Sequence, residues 1–215
     1  LTHDHTDHFI GALSVPEWAN PSTTMLAIQE DGALALKSAN RRLTLADIMG
    51  LEIRPMRTDM CFLSAREERG ETPLRRTFAD GTAITTQREP PEHGLAHGRI
   101  LRGSGPFVEV YHTPGHSPDS CCFRIGDLLF IGDLLFAANP GLAGICGWDQ
   151  QALIRSLTGV QALLSGSGIA EVCPGHGWVL TTQDAARMLG AVQKDAYHLA
   201  KIAEFNPKRV RDTAA

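Results

Sequence analysis

The sequence lacks several features that would place it in other protein classes. No apolar run approaches the roughly 20 residues that a membrane-spanning helix needs, so no membrane partner is expected. No overall positive charge is present either. The net charge is -4, which argues against nucleic acid as a main partner because a positive field is needed to attract phosphates. The five cysteines are odd in number and never have CxxC spacing, so reduced thiols in a cytoplasmic protein are expected.

The composition is that of one globular domain spanning residues 1–215, with 43% hydrophobic and 20% charged residues. Residues 37–102 hold 12 of the 20 basic side chains against nine acidic ones. A solvated surface is the ordinary interpretation of such a run. The alternative is a slightly basic flap that holds an anionic small-molecule substrate. The candidates for that contact are Arg41, Arg42, Arg75 and Arg76.

Hydrophobic periodicity becomes clear in the second half of the chain. The stretch "FVEVYH" at 107–112 alternates as a half-buried strand does, and "CCFRI" and "LLFI" flank a turn signal at Gly126-Asp127. Asp149 is placed to cap a helix that ends at Gly166, and "IAEVC" is a strand candidate. Thr181 and Asp184 have capping-box spacing for a last helix.

The first half of the chain is less regular. Residues 33–42 are predicted to form a short helix, residues 43–48 the start of another, and residues 64–76 a charged surface loop. Helices and strands alternate along the whole chain, which predicts a layered α/β or α+β domain.

Metal-capable side chains are concentrated in "THDHTDH" at residues 2–8. Three histidines and an aspartate within six residues are difficult to explain as structural residues. On a tight loop their side chains can converge, and imidazole nitrogen with carboxylate oxygen suits zinc, iron or manganese rather than calcium or magnesium. The four candidates are His3, His5, Asp7 and His8.

Three further candidates follow predicted strands. His116 and His176 lie in two Pro-Gly-His turns, "TPGHS" and "CPGHG". The tandem "IGDLLFIGDLLF" offers Asp127 and Asp133 in identical local sequence. A strand of five or six residues spans roughly 17–20 Å. If His116 is at the site, the chain runs away from it, turns at Asp127 and returns, so Asp133 is predicted at the site and Asp127 at the far turn.

Taken together, these motifs resemble the metallo-β-lactamase superfamily. "THDHTDH" is similar to its HxHxDH signature, "TPGHS" to its third-histidine turn, "FIGDLLF" to its bridging aspartate and "CPGHG" to its final histidine. The resemblance implies an αββα sandwich with a two-metal site at one edge. It also implies that the first metal is held by His3, His5 and His116. The second metal would be held by Asp7, His8 and His176, and Asp133 would bridge the two.

The activity implied by the resemblance is hydrolysis by a metal-bridging hydroxide, with Asp7 and Asp133 as the catalytic carboxylates. "HTPGHS" and "GDLLF" look most like the glyoxalase II-like group, so a thioester or ester-like bond of a small metabolite is the expected target. Zinc is the expected metal, and iron or manganese is the alternative. The rival functions are an iron-dependent persulfide dioxygenase-like oxygenase, a lactonase or phosphodiesterase, and a non-catalytic partner or electron-transfer module.

The resemblance also bears on the chain's organisation. In the chain, 110 residues separate His5 from His116, which implies a helical or loop insertion at about 30–95 that covers the site or makes a homodimer contact. The family's N-terminal strands are not seen before Leu1, so the chain is expected to be a C-terminal portion. The missing segment would be absent or present as a separate fragment.

The remaining histidines and tryptophans have weaker expectations. His112 is predicted to be a core residue or a residue supporting the ligands, whereas His93 and His97 are expected to be exposed in a polar loop. His198 on the last helix is expected to face solvent, with substrate contact as the alternative. Two aromatic residues are candidates for the pocket mouth, with packing as their ordinary role: Trp18 and Trp148.

Overall fold

The computed structural model of the protein describes residues 1–13, 15, 24–64, 75–103, 107–136, 145–166 and 168–205. The helices are α1 (Thr6–Leu13), α2 (Glu30–Lys37), a 3-10 turn (Asp133–Leu135), α3 (Gln150–Gly166) and α4 (Thr182–Phe205). The strands are β1 (Ala27–Gln29), β2 (Met60–Phe62), β3 (Arg75–Thr77), β4 (Ala83–Glu92), β5 (Leu95–Arg102), β6 (Phe107–His112), β7 (Cys121–Ile125), β8 (Leu128–Gly132), β9 (Glu171–Pro174) and β10 (Leu180–Thr181).

An eight-stranded sheet forms the centre of the fold, in the order β10-β9-β8-β7-β6-β5-β4-β3. Every neighbouring pair in this sheet is antiparallel except β8 and β9, which are parallel. As a result β6, β8 and β9 run in the same direction and end at the same edge of the sheet. The loops that follow these three strands are therefore brought together.

The predicted strands and helix caps of the second half are confirmed. β7 and β8 form the hairpin around Gly126, whose φ of 63° suits the turn. Asp149 Oδ1 accepts the backbone N–H groups of Gln151 and Ala152 at 2.9 Å. At the start of α4 the Thr181 hydroxyl accepts the Asp184 N–H at 3.1 Å and donates to the Asp184 carboxylate at 2.9 Å.

One face of the sheet is covered by α3 and α4. The apolar stripe of α3 packs with strand residues such as Leu129 and Val172, and α4 contributes Leu189 and Ala196 to the same core. Each of these side chains is removed from water, and burying a leucine or valine contributes about 1.5–3 kcal/mol. The spacing of apolar residues predicts which α3 side chains are buried, and all of them are in this core, together with Leu163: Leu153, Ile154, Leu157, Val160 and Leu164.

The other face of the sheet packs against the N-terminal half of the chain. β1 and β2 form a separate two-stranded parallel sheet, and Phe62 of β2 contacts a core that includes Val110 and Cys121. Outside that layer, Phe9 of α1 and Leu36 of α2 share a second apolar cluster. Helices thus lie on both sides of β-structure, and the expected layered, mixed α/β fold is confirmed.

Several expectations for the first half are wrong. The segment 30–95, expected to be helical or loop insertion, contains β2, β3, β4 and the start of β5. The helix expected at 33–42 is α2, which begins at Glu30 and ends at Lys37, and residues 43–48 form turns rather than a helix. In the expected loop 64–76, residues 65–74 lie outside the described residues and residues 75–76 begin β3. Trp18 also lies outside them.

Two other expectations concern cysteines and membrane segments. All five cysteines are free, and Cys121 and Cys122 are buried in different apolar clusters, as expected for adjacent residues on a strand. Among the described residues, none of the helices combines the length and apolar character needed to span a bilayer.

Candidate metal centre

The candidate ligands lie on four separate segments at one edge of the large sheet. His3 and His5 are in the loop before α1, and Asp7 and His8 are in the first turn of that helix. His116 lies in the loop between β6 and β7, Asp133 directly follows β8, and His176 follows β9. The parallel direction of β6, β8 and β9 is therefore what places these distant parts of the sequence next to one another.

The first group of ligand atoms consists of His3, His5 and His116, and all three side chains are buried. The Nε2 atom of His116 lies 3.0 Å from Nδ1 of His5. In a tetrahedral zinc site with bonds of 2.0–2.1 Å, neighbouring ligand atoms are separated by roughly 3.3 Å. The spacing of the two nitrogens is therefore that of two ligands to one ion.

The second group consists of Asp7, His8 and His176. His176 Nε2 lies 3.1 Å from Asp7 Oδ2, and His8 Nε2 lies 3.7 Å from the same oxygen. The side chains of Asp7 and His176 are 40% and 48% exposed, whereas His8 is only 12% exposed. The second group is therefore on the solvent side of the cluster and the first group is on the protein side.

Asp133 lies between the two groups. One carboxylate oxygen is 3.2 Å from His8 Nε2, and the other is 3.4 Å from His176 Nε2 and 3.6 Å from His116 Nε2. Asp127, in the same local sequence, is exposed in the β7–β8 turn at the opposite end of β8. The prediction that Asp133 and not Asp127 is at the site is thus supported by the geometry.

Glycines permit the close approach of two of these segments. The backbone N–H of Gly175 donates to the carbonyl of Gly132 at 2.7 Å, which joins the loop after β9 to the end of β8. A Cβ atom at Gly175 would overlap Asp133 Oδ1 and lie 2.7 Å from His8 Cε1. The glycine before His176 therefore leaves the space that Asp133 and His8 occupy.

The residues fit a bound metal because their buried polar atoms otherwise have no partner. Three buried ligand-type atoms in the described cluster make no hydrogen bond, although such atoms normally do when they are removed from water. A cation in each group would satisfy them. These atoms are His3 Nε2, His8 Nε2 and Asp133 Oδ1.

The electrostatics of the metal-free cluster favour neutral histidines in the first group. Burial lowers the pKa of His3 well below its usual range, and the neighbouring histidines lower it further. Burial and the adjacent His116 lower the pKa of His5 to about 3, and burial also lowers the pKa of His116. A histidine must be deprotonated to bind a metal, so these three side chains are held in the binding form.

Asp133 and His8 are in close polar contact, with His8 Nε2 3.2 Å from the carboxylate. Burial alone would raise the pKa of Asp133, but the contact with His8 outweighs burial, so that pKa is lowered. For His8, burial acts to lower the pKa, and the contact with Asp133 raises it by more. Asp133 is therefore an anionic carboxylate at neutral pH, as a metal ligand requires.

The loop that carries His116 is held in place by polar contacts with the end of β6 and with the first half of α3. His112 Nε2 lies 2.7 Å from the Pro118 carbonyl, so the expected supporting position of this histidine agrees with the structure. The Ser156 hydroxyl of α3 donates to the Pro114 carbonyl at 2.7 Å, and the Asp149 N–H donates to the Gly115 carbonyl at 3.0 Å. The α3 helix and the end of β6 thus hold the Pro-Gly-His turn.

A buried pair of carboxyl groups behind the cluster was missed in the sequence. Asp4 and Asp119 are 3% and 1% exposed, and the Ser117 hydroxyl donates to Asp119 at 2.7 Å. Burial raises the pKa of Asp4 and of Asp119, and the mutual charge and hydrogen bonding raise that of Asp4 further. The only indication of this pair in the sequence is Asp4 itself, an aspartate between His3 and His5. No residue near it in the sequence identifies Asp119 as its partner.

The candidate substrate contacts are occupied by other partners or lie away from the cluster. Arg41 pairs with Glu52 at 2.8 Å, and Arg76 pairs with Asp59. Arg75 and Arg76 are on β3, at the edge of the sheet farthest from β9. Arg42 and His198 are exposed, and Trp148 is partly buried against the α3–α4 core, so a role of these three side chains in substrate binding stays a prediction.

The expectation for His97 is wrong, whereas that for His93 is confirmed. His93 is exposed in the turn between β4 and β5. His97 is 6% exposed, because it lies on β5 and its ring stacks on Tyr111 of β6 at 4.7 Å. The Pro- and Gly-rich sequence around it was interpreted as a loop, but the structure has two long paired strands there.

The structure thus combines a layered α/β fold with histidines and aspartates that are grouped as metal ligands at one edge of the sheet. The chain belongs to the metallo-beta-lactamase superfamily, because that family's profile matches residues 1–176. Glyoxalase II-like membership within it stays a prediction.

Three relatives illustrate the similarity. The probable metallo-hydrolase YqgX of Bacillus subtilis is 36% identical over 107 residues, covering 47% of this chain and 49% of that protein. The atrochrysone carboxyl ACP thioesterase of Aspergillus fumigatus is 30% identical over 94 residues, covering 43% of this chain and 27% of that protein. The di-iron-bound crystal structure of TTHA1623 is 25% identical with a TM-score of 0.52, covering 87% of this chain and 73% of that one. The matched sequence therefore spans about half of the YqgX chain and less than half of the atrochrysone carboxyl ACP thioesterase chain.

Proposed function

We propose that this protein is a hydrolase with two divalent cations that cleaves a thioester or ester-like bond of a small metabolite. The observation that carries this proposal is the pair of ligand groups with an aspartate between them. His3, His5 and His116 would hold the first cation, and Asp133 would contact both. The second cation would be held by Asp7, His8 and His176.

The donor atoms of this site favour zinc. Five imidazole nitrogens and two carboxylates are a donor set that suits zinc, iron or manganese better than calcium or magnesium. Cations held there would acidify a shared water molecule and polarise the carbonyl oxygen of the scissile bond. The similar di-iron-bound structure makes iron the alternative that must be tested.

The protein's own side chains account for the remaining steps. The Asp7 carboxylate is 40% exposed and 3.1 Å from His176, so it can meet both the attacking water and the substrate. We assign it the role of orienting that water and carrying its proton to the leaving group. Asp133 is buried and anionic, so its role is to hold the two ligand groups at a fixed separation rather than to transfer a proton.

The choice of a thioester or ester-like bond rests on chemistry and on one relative. An acyl carbonyl next to a good leaving group is the electrophile that such a site activates best, because charge develops on one oxygen atom. The Aspergillus relative is named as a thioesterase, which supports acyl-thiol hydrolysis without identifying the substrate of this protein. Glutathione thioesters are one member of this class to be tested.

The proposal is tested by metal analysis combined with two activity measurements. Purified protein is reconstituted with zinc or with ferrous iron, and bound metal is counted by elemental analysis. Thiol release from acyl thioesters and oxygen consumption with a persulfide are then measured on each form. Two bound ions and thiol release without oxygen consumption support the proposal. Oxygen consumption by the iron form without thiol release would assign the oxygenase function instead, and no bound metal would refute both.

A further inference from the structure

Among the described ligands of the metal cluster, those of the second group are the ones exposed to solvent. His3 and His5 are 1% and 2% exposed and His116 is 2% exposed, so the first ligand group is closed off. Asp7 and His176 are 40% and 48% exposed. A substrate that reaches the cluster must therefore approach past these two side chains.

Large apolar side chains are exposed beside both of these ligands. Ile10 is 36% exposed and lies three residues after Asp7 on α1, which places the two on the same helix face. Trp178 and Val179 are 87% and 57% exposed and follow His176 by two and three residues. We call these three side chains, Ile10, Trp178 and Val179, the apolar rim.

A fourth apolar group contacts a ligand directly. Phe136 ends the 3-10 turn that starts at Asp133, and its ring meets the ring of His176 edge to face at 5.5 Å. Apolar side chains from three separate segments therefore accompany the open part of the cluster. A few polar groups accompanied by apolar side chains are the usual composition of a small-molecule binding site.

Exposed apolar residues elsewhere on the described chain give a comparison. Phe107 is 42% exposed at the start of β6, and Ile125 is 43% exposed at the β7–β8 turn. Both are at the opposite end of their strands from the cluster, roughly 17–20 Å away. Single exposed apolar side chains are ordinary, so these two need no function, whereas three that lie within three positions of two exposed ligands point to a binding surface.

We propose that the apolar rim binds the acyl group of the substrate, and that the substrate therefore carries a long or bulky apolar acyl group. This inference rests on the proposed hydrolytic function. The acyl carbon chain would lie on Trp178 and the side chains next to it, while the carbonyl reaches the ligands. A small polar acyl group such as acetyl would leave this surface in water and gain nothing from it.

The test compares two acyl lengths in the zinc-loaded protein and in matched variants. Acetyl and octanoyl thioesters of the same small thiol are assayed by thiol release in wild type, Trp178→Ala, Trp178→Phe and Phe107→Ala. We expect the octanoyl-to-acetyl ratio of kcat/KM to fall about tenfold in Trp178→Ala, equivalent to about 1.4 kcal/mol. The ratio should recover in Trp178→Phe and stay at the wild-type value in Phe107→Ala, which removes an aromatic ring that is 42% exposed and far from the cluster.

A binding measurement separates this inference from the hydrolytic function. Octanoate and acetate are titrated into wild type and Trp178→Ala by calorimetry, which requires no turnover. Tighter binding of octanoate that is lost in Trp178→Ala supports the rim even if no thioester is cleaved, in which case only the proposed function fails. Equal ratios of kcat/KM and equal octanoate affinity in wild type and Trp178→Ala would overturn the inference.

Discussion

Replacing Asp133 with asparagine tests the centre most directly, because the chain contains a matched control. Asp127 and Asp133 occur in the identical stretches "IGDLLF", so Asp127→Asn makes the same chemical change in the same local sequence. Asp133 is 7% exposed and lies between His8 and His176, whereas Asp127 is exposed in a turn. The two variants differ only in tertiary position.

The size of the effect follows from the charge that is removed. Two unit charges 4 Å apart interact by about 4 kcal/mol at an effective dielectric constant of 20. The asparagine side chain keeps an oxygen atom that can ligate the metal, but it is neutral, so this charge–charge attraction is lost. Loss of about 4 kcal/mol weakens metal binding by about a thousandfold. We therefore expect Asp133→Asn to lose most of its metal at a free zinc concentration that saturates wild type and Asp127→Asn.

The assay is zinc content after equilibration against a buffered free-zinc series, measured together with the circular dichroism spectrum. An unchanged spectrum in both variants shows that the fold is kept. The expected result is a binding curve for Asp133→Asn displaced to higher zinc by about three decades and a curve for Asp127→Asn that overlays wild type. Coincident curves for the two asparagine variants would refute the assignment of Asp133 as a ligand.

Two further predictions concern stability. A Cβ atom at Gly32 of α2 would overlap Asp119 Oδ2 and lie 2.7 Å from Ile28 Cδ1, so Gly32→Ala should lower the free energy of unfolding by about 1–3 kcal/mol. Gly11→Ala on α1 meets nothing within 4 Å and should raise it by about 0.5–1 kcal/mol, so equal urea midpoints for the two variants would contradict the packing argument. In the metal-free protein, burial lowers the pKa of His3, His5 and His116, and the unfolded chain takes up protons below about pH 6.5 while the native chain does not. The free energy of unfolding should therefore fall as the pH falls from 6.5 toward 3, by about 1.4 kcal/mol per pH unit for each histidine that stays neutral in the native state. The measurement is urea unfolding of chelator-treated protein at pH 5 and pH 7.5, and equal stability at the two pH values would contradict the prediction.

Local signals in the sequence were sufficient for part of the fold. The alternation in "FVEVYH", the turn at Gly126-Asp127 and the caps at Asp149 and Thr181 depend on residues within a few positions of one another. Such signals act through local geometry and through one face of a helix or strand, so they are visible without a partner. The first half of the chain has few of them, and its helix and strand bounds were accordingly less accurate.

The sequence by itself determined the types and order of the candidate ligands, because Pro-Gly-His turns and dense histidine motifs are local. Only the tertiary structure decided how they group, since His5 and His116 meet across 111 positions and the parallel β8–β9 pairing brings His176 beside Asp133. The same is true of the buried Asp4 and Asp119, of the stacking of His97 on Tyr111, and of the apolar rim. Each depends on which side chains share a space and which remain exposed, and that follows from strand order and packing rather than from neighbouring residues.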